Sequence, residues 1–371
     1  MTPEALTLMD PSFDAWSPTQ DPARQVAVMM SGGVDSSVAA HLLKRAGWDV
    51  VGVTMKIPVT CSSGKRGCCG ADAALVCHEL GIAHYYVDAT EMFRHHVIDA
   101  FQEAYADART PNPCVDCNSV LKFWLLWDLL EEAFGVSSVA TGHYAQVCFK
   151  EGKARLCRGK DEGKDQSYFL YGIKQERLSR LLLPLGGLTK REVRAVAEEI
   201  DLCVADKAES MELCFAGEGN YRDALTVEQA RTEGALTDMQ GNIIGTHRGI
   251  ANYTLGQRKG LGFAGGKPLY VGRIDAAANT VALGGREEVC ARVIEVKDLN
   301  VLDREGLIPD RPLGAKIRSY GAPQPCVLQE VAENRMTVEF DEPQFAPCPG
   351  QRLVLYGADH HVIGGGTILL S

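Results

Sequence analysis

Val26–Ser37 constrains this chain more than any other stretch, reading V-A-V-M-M-S-G-G-V-D-S-S. Val26 to Met29 have the length and branching of a buried strand. Gly32 and Gly33 let the backbone turn sharply and approach a ligand with no Cβ in the way. Asp35, Ser36 and Ser37 follow, and the spacing of Val38, Leu42 and Leu43 predicts a helix running to about Gly47. A strand, a glycine turn and a helix start aim free N–H groups and the positive end of a helix dipole at one spot. That is an anion site. The lysine of G-x-x-x-x-G-K-[ST] is missing, so this is not a P-loop NTPase signature.

Set after a strand, S-G-G-x-D-S resembles the pyrophosphate loop of ATP-dependent adenylating enzymes. In that superfamily the loop grips the leaving pyrophosphate while AMP is put on a substrate oxygen. The bland alternative is a serine–glycine turn before an ordinary helix, and the strand–loop–helix setting speaks against it. The loop implies ATP; it does not name the acceptor.

A chain of 371 residues suggests two or three domains. With 46% hydrophobic and 23% charged residues it has the composition of a soluble globular protein, and no apolar run reaches membrane-spanning length. Met1–Gln20 has no basic start and no apolar core, and it carries Pro3, Pro11 and Pro18. It reads as a loose extension of a cytoplasmic protein, not as a signal peptide. A net charge of −10 argues against a uniformly basic nucleic-acid glove but leaves room for a local basic face. Thirteen cysteines without a secretion signal point to catalytic, metal-binding or buried thiols more than to disulfides.

From Val26 to about Tyr144 short strands alternate with helices. Strands are expected at Val50–Met55, Ala83–Val87 and Val136–Thr141, and helices at Ala71–Leu80, after Thr90, and at Leu121–Phe134. This is the pattern of a parallel sheet covered on both faces, with ligands at the carboxyl ends of its strands. Ser31–Ser37 and Thr141-Gly142-His143 both fall at such ends. Thr189 with Glu192 forms a capping-box pattern for a further helix. Between Cys203 and Gly219 the periodicity stops, which marks a functional loop or a domain junction. Beyond Gly241 the pattern becomes glycine-punctuated short strands, including a hairpin about Ala276–Asn279. Their regular spacing predicts a small antiparallel barrel or sandwich.

Thr110–Asn118 reads T-P-N-P-C-V-D-C-N, and its two prolines predict a stiff loop that presents Cys114 and Cys117 outside a helix. Such a C-x-x-C is a zinc half-site, a redox pair or a pair of cluster ligands. The partners for zinc, Cys68 and Cys69, are adjacent and awkward for one tetrahedral ion. Cys214 lies in another aperiodic segment, and alone it reads as a small buried hydrophobe. Lys164-Asp165-Gln166 follows a predicted hairpin, while Arg248, Arg258, Lys259 and Lys267 lie among Tyr253 and glycines. Basic residues so interleaved suit a nucleic-acid backbone, with solvated loop charge as the alternative.

G-G-V-D-S-S, T-P-N-P-x-x-x-C-N followed by Lys122-Phe123, A-T-G-H-Y, K-D-Q-S-Y-F-L, S-x-x-x-C-F and H-x-G-x-x-x-Y-T-x-G-Q-R-x-G-L-G occur in one order. Together they strongly resemble the bacterial tRNA-specific 2-thiouridylases, over about Val26 to Thr367. The resemblance implies ATP, with Mg2+, bound by Met29, Met30, Ser31, Gly32, Gly33, Val34, Asp35, Ser36, Met55 and Gly142. It implies adenylation of the C2 oxygen of a wobble uridine. Sulfur then arrives from a persulfide on Cys214, and Cys117 releases it, ending in a Cys117–Cys214 disulfide. It further implies target-base contacts from Asn112, Pro113 and Cys114, and tRNA contacts from His143, Lys164, Asp165, Gln166, Arg318, Ser319 and Gln351. A persulfide relay protein or a cysteine desulfurase would donate the sulfur, and no membrane is involved.

One position departs from the family pattern: many members carry Asp where this chain has Cys114. Cys114, Cys117 and Cys214 then resemble the ligand set of related tRNA thiolases that hold a [4Fe–4S] cluster on three cysteines. Persulfide and cluster both stand at this point. The expected organisation is a flexible extension over 1–20, an α/β pyrophosphate-loop domain over 21–215, a central tRNA-binding domain over 216–285 and a C-terminal β-barrel over 286–371. The rivals are a small-molecule adenylating ligase with the same loop and a metal-stabilised RNA-binding module that consumes no ATP.

Overall fold

Strand β1 (Thr7–Pro11), in the stretch that suggests a loose extension, pairs antiparallel with β4 (Ala83–Asp88) in the computed structural model. The structure describes residues 6–17, 21–58, 69–208, 213–215, 225, 232–263 and 266–369. It divides into two units: Met1–Val97 with Cys114–Glu218 and His360–Val362, and Ile98–Pro113 with Gly219–Asp359 and Ile363–Ser371.

In the first unit, β2 (Gln25–Met29) is buried at all five positions, as befits a strand covered on both faces. It pairs in parallel with β3 (Asp49–Lys56) on one side and β5 (Ser138–Ala140) on the other. The hairpin β6 (Ala145–Lys150) and β7 (Lys153–Arg158) stands apart from this sheet, and β8 (Leu181–Leu182) closes its far edge in the order β1-β4-β3-β2-β5-β8. The order reverses at β2, so the turns leaving β2 and β5 flank one crevice at the carboxyl ends. Helices α1 (Val34–Arg45) and α2 (Cys69–Glu79) share a core with Val193 and Ala197 of the helix Lys190–Glu199. That third helix starts on the predicted capping box, with both reciprocal Thr189–Glu192 bonds present.

The expected stiff loop around Cys114 and Cys117 is instead the start of a helix. Helical backbone begins at Pro113 and runs through Pro113–Asp116, a π-wound stretch Cys117–Leu126 and Trp127–Phe134 to Gly135, which caps it with φ +68°. Proline is favoured at the first helical position, where its missing N–H would have no partner anyway. Asn112-Pro113 is therefore a start signal.

In the second unit, β9 (Gly234–Asp238), β10 (Ile243–His247), β11 (Tyr270–Asp275) and β12 (Thr280–Gly284) form a four-stranded sheet. Its order is β10-β9-β12-β11, with β12 parallel to β9 and the predicted hairpin joining β11 to β12. A closed antiparallel barrel follows, made of β13 (Cys290–Val301), β14 (Leu313–Lys316), β15 (Gln324–Val331), β16 (Arg335–Phe345), β17 (Arg352–Tyr356) and β18 (Val362–Ile368). Alternate residues such as Ile294, Val296, Leu328, Val338 and Phe340 fill it. Among the described residues, no helix is long and apolar enough to cross a membrane.

Candidate active site

The turn after β2 ends on Gly33, the N-cap of α1, which makes no side-chain capping bond. The first-turn N–H groups are thus left for a ligand, at the positive end of a twelve-residue helix. Ser36 closes the loop on itself: its Oγ accepts from Ser31 N–H at 3.1 Å and donates to the Gly33 carbonyl at 3.2 Å. Gly32 takes φ +69°, where a side chain would be strained. Gly142, in the turn after β5, lies directly on this helix start. A Cβ there would come within 2.7 Å of Asp35 C and Ser36 N. Uncapped N–H groups beside a cradle that one methyl would fill suit the phosphates of ATP. Met29 and Met30 are buried at the end of β2, and Met55 is half-buried near the end of β3.

The charges around the loop were not legible in the sequence. Lys190 Nζ donates to both carboxylate oxygens of Asp35, at 2.6 and 2.8 Å, and Tyr144 Oη donates to Asp35 at 2.7 Å. Lys207 Nζ reaches the Gly32 carbonyl at 2.8 Å and pairs with Asp72 at 2.5 Å. Lys190 follows a capping threonine and Lys207 lies in the aperiodic stretch, so neither position carries a pattern that marks it. Only the fold joins them to the loop.

Cys114 and Cys117 sit on the first turns of the helix that starts at Pro113. Cys214 lies in a short turn whose neighbour Phe215 is buried against Phe93, with ring centroids 6.0 Å apart. All three thiols are free. Desolvation pushes each above the ordinary thiol range, and the charges of Cys117 and Cys114 raise Cys214 further. Lys122 opposes this at all three. The trio therefore shares one electrostatic neighbourhood, which includes the Lys122 ammonium. Among the described residues no three His, Cys, Asp or Glu side chains are arranged to hold a metal ion. Cys68, weighed as a zinc partner, lies outside the described residues.

His143 is held neutral, its pKa lowered to about 3 by desolvation and then by Lys122, and its Nδ1 lies 2.8 Å from Thr141 Oγ1. Asp165 is buried and accepts from Arg158, Gly159 N–H and Ser167, so it holds the K-D-Q turn together. Gln166 likewise accepts from Tyr144 N–H at 2.9 Å, while Lys164 closes a backbone turn onto the Asp161 carbonyl.

In the second unit, Asn112 donates to Gln351 at 3.3 Å and Gln351 donates to the Pro111 carbonyl at 3.1 Å. Two residues 239 apart in sequence are thus joined by a hydrogen bond. Arg318 donates to the Phe345 carbonyl beside half-buried Ser319, and Tyr320, which sequence reasoning passed over, is 80% exposed. An exposed ring next to an arginine is a stacking surface for a base. A cavity of about 670 Å³ is lined by Arg248, Tyr253, Thr254, Gln257, Lys259 and Gly260. Arg248, Arg258 and Lys259 make no ion pair among the described residues.

Comparison with known families matches three consecutive models: a tRNA methyl transferase HUP domain over residues 24–218, a tRNA methyl transferase PRC-barrel domain over 222–285 and an aminomethyltransferase beta-barrel domain over 292–368. The tRNA-specific 2-thiouridylase MnmA of Heliobacterium modesticaldum is 45% identical, covering 93% of this chain and 92% of its own. Its counterpart in Carboxydothermus hydrogenoformans is 44% identical over 93% and 97%, and that of a Synechococcus strain is 41% identical over 93% of each chain. With every domain matched and the relatives aligned nearly end to end, this chain belongs to the tRNA-specific 2-thiouridylase family.

Proposed function

We propose that the protein is an ATP-dependent sulfurtransferase that converts the wobble uridine of tRNA to 2-thiouridine in the cytoplasm. The observation that carries this reading is one unit holding both an uncapped helix start closed over by Gly142 and three thiols that share one electrostatic neighbourhood with Lys122. The first suits a triphosphate, with Mg2+ sharing its charge. The second suits sulfur transfer. A small-molecule adenylating ligase would use the loop and leave the thiols without a role.

Met29 to Ser36, Met55 and Gly142 hold ATP so that the C2 oxygen of uridine attacks the α-phosphorus and pyrophosphate leaves. C2 is then an electrophile with AMP as its leaving group. Cys214 carries a persulfide received from a relay protein or a cysteine desulfurase, and its terminal sulfur attacks C2 as AMP departs. Cys117 then attacks the Cys214 sulfur. A Cys117–Cys214 disulfide forms, and the transferred sulfur leaves on the base with the electron pair of the broken S–S bond. A thiol reductant restores the pair. Lys122 is the cation that favours both thiolates against their desolvation.

Neutral His143 donates or accepts a hydrogen bond and carries no charge to a phosphate. Asn112, Pro113 and Cys114 face the base. Lys164, Asp165, Gln166, Arg318, Ser319 and Gln351 belong to the tRNA contact, with the cations lining the second unit's cavity added to it. The test is nucleoside analysis of tRNA incubated with iron-free protein, a persulfide donor, Mg2+ and ATP. We expect 2-thiouridine only when ATP is present, none from Cys117→Ala or Cys214→Ala, and substantial activity from Cys114→Ala. Full activity of Cys214→Ala would contradict the relay, and a strict requirement for iron would contradict its iron-free form.

A further inference from the structure

One face of the sheet carries a chain of hydrogen bonds that ends on the nucleotide loop. Gly52 of β3 is the register partner of His84 on β4, and alternate residues of a strand share a face. Thr54 therefore stands on the same face as His84, and its Oγ1 lies 2.9 Å from His84 Nε2. Thr54 Oγ1 donates to the Met30 carbonyl at 3.0 Å. On the other side of the ring, Ser12 holds His84 twice: its N–H donates to the His84 carbonyl and its Oγ lies 2.8 Å from Nδ1. Tyr86 braces the ring edge-on, with centroids 4.9 Å apart. The Met30 carbonyl shares a rigid peptide plane with the N–H of Ser31, which donates to Ser36 Oγ inside the loop. That one peptide is thus fixed at both ends, by Thr54 at its oxygen and by Ser36 at its nitrogen.

We infer that His84 and Thr54 are positioning residues for the nucleotide: they set the plane of the Met30–Ser31 peptide, and with it the place of Ser36 and the phosphate-binding turn. This rests on the ATP reading above. The hydrogens of the chain admit one order. A threonine hydroxyl has a single hydrogen, and here it goes to the Met30 carbonyl. Its oxygen then accepts from His84, so the ring carries its hydrogen on Nε2. Nδ1 is left as an acceptor for the Ser12 hydroxyl. Burial keeps the imidazole neutral, as this order requires. Met30 is buried, so a carbonyl deprived of Thr54 would turn toward another donor and carry the Ser31 N–H away from Ser36. Ser12 lies before residues 24–218, so the outer end of the chain comes from outside the HUP-domain match.

Binding of pyrophosphate, ATP and AMP, each with Mg2+, is measured by calorimetry for wild-type protein, Thr54→Val and Thr54→Ser. Valine keeps the shape and removes the hydroxyl, leaving a buried carbonyl without its donor. Pyrophosphate and ATP should weaken about tenfold in Thr54→Val, AMP should be unaffected, and Thr54→Ser should bind all three nearly as the wild type does. The second readout is nuclear magnetic resonance of protein labelled with 15N-histidine, with the His84 signals assigned by their loss in His84→Gln. Wild-type His84 should carry its hydrogen on Nε2, and that signal should shift when pyrophosphate binds. Unchanged pyrophosphate affinity in Thr54→Val would overturn the inference, and so would equal weakening of AMP, which marks a structural role. A hydrogen on Nδ1, or a His84 signal indifferent to bound pyrophosphate, would overturn it without any variant. A wild type that binds neither ATP nor pyrophosphate would overturn the ATP reading itself, and the inference with it.

Discussion

Gly142 is the residue on which the proposed ATP site turns. Its missing Cβ is what lets the turn after β5 lie against the start of α1. Gly142→Ala should leave the fold intact but push that turn off the helix by a large fraction of an ångström. A misplacement of this size costs roughly 100-fold in rate. Steady-state kinetics with ATP varied would show it as a loss in kcat/KM, and wild-type kinetics would remove Gly142 from the site. The sequence marked Gly142 through the A-T-G-H-Y motif and its place at a strand end. It could not mark Lys190 or Lys207, because a lysine that serves a site and one that faces solvent look alike until the fold assigns a partner. Nor could it show that four donors converge on the buried carboxylate of Asp165 and hold the K-D-Q turn in shape.

At the scale of elements, a local signal in the sequence decides the structure where one rule governs it. The alternation of strands and helices gave the parallel sheet, and the regular strand spacing after Gly241 gave the barrel. Pro113 is ambiguous in sequence: proline is both a helix breaker and a preferred first residue, and only the backbone before it decides which. The consequence is chemical, because Cys114 and Cys117 then ride on a helix that is buried through Leu121, Phe123, Leu126, Trp127 and Leu130, and they are held more firmly than on a loop. The helix Lys190–Glu199 depends on its cap in the same local way. Thr189 accepts from Glu192 N–H, and Thr189→Ala should cost about 1 kcal/mol of stability. Urea unfolding at pH 7 measures it, and an unchanged midpoint would show the helix to be fixed by packing alone. The same helix places Lys190 on Asp35, so a weakened start is felt at the loop.

For the molecule as a whole, pH is the simplest probe of what the folded chain buries. His84 is fully buried between Ser12 and Thr54, and desolvation lowers its pKa from 6.5 to about 4. The unfolded chain therefore takes up a proton that the folded chain refuses between these values, and stability falls as pH drops through that window. His143, lowered to about 3, acts in the same direction. At about 1.4 kcal/mol per pKa unit, His84 alone accounts for a few kcal/mol between pH 7 and pH 4. Urea midpoints over that range should show the decline, and His84→Gln should flatten it. A slope unchanged by that substitution would assign the loss to other groups. The central claim, that a uridine oxygen is activated by ATP and replaced by sulfur, is tested most directly by isotope. Transfer RNA carrying 18O at C2 of the target uridine is thiolated with ATP and a persulfide donor, and the AMP released is weighed. We predict one 18O in AMP for each 2-thiouridine formed, since the C2 oxygen departs bonded to the α-phosphorus. The label found in water or pyrophosphate, with AMP unlabelled, would contradict the account.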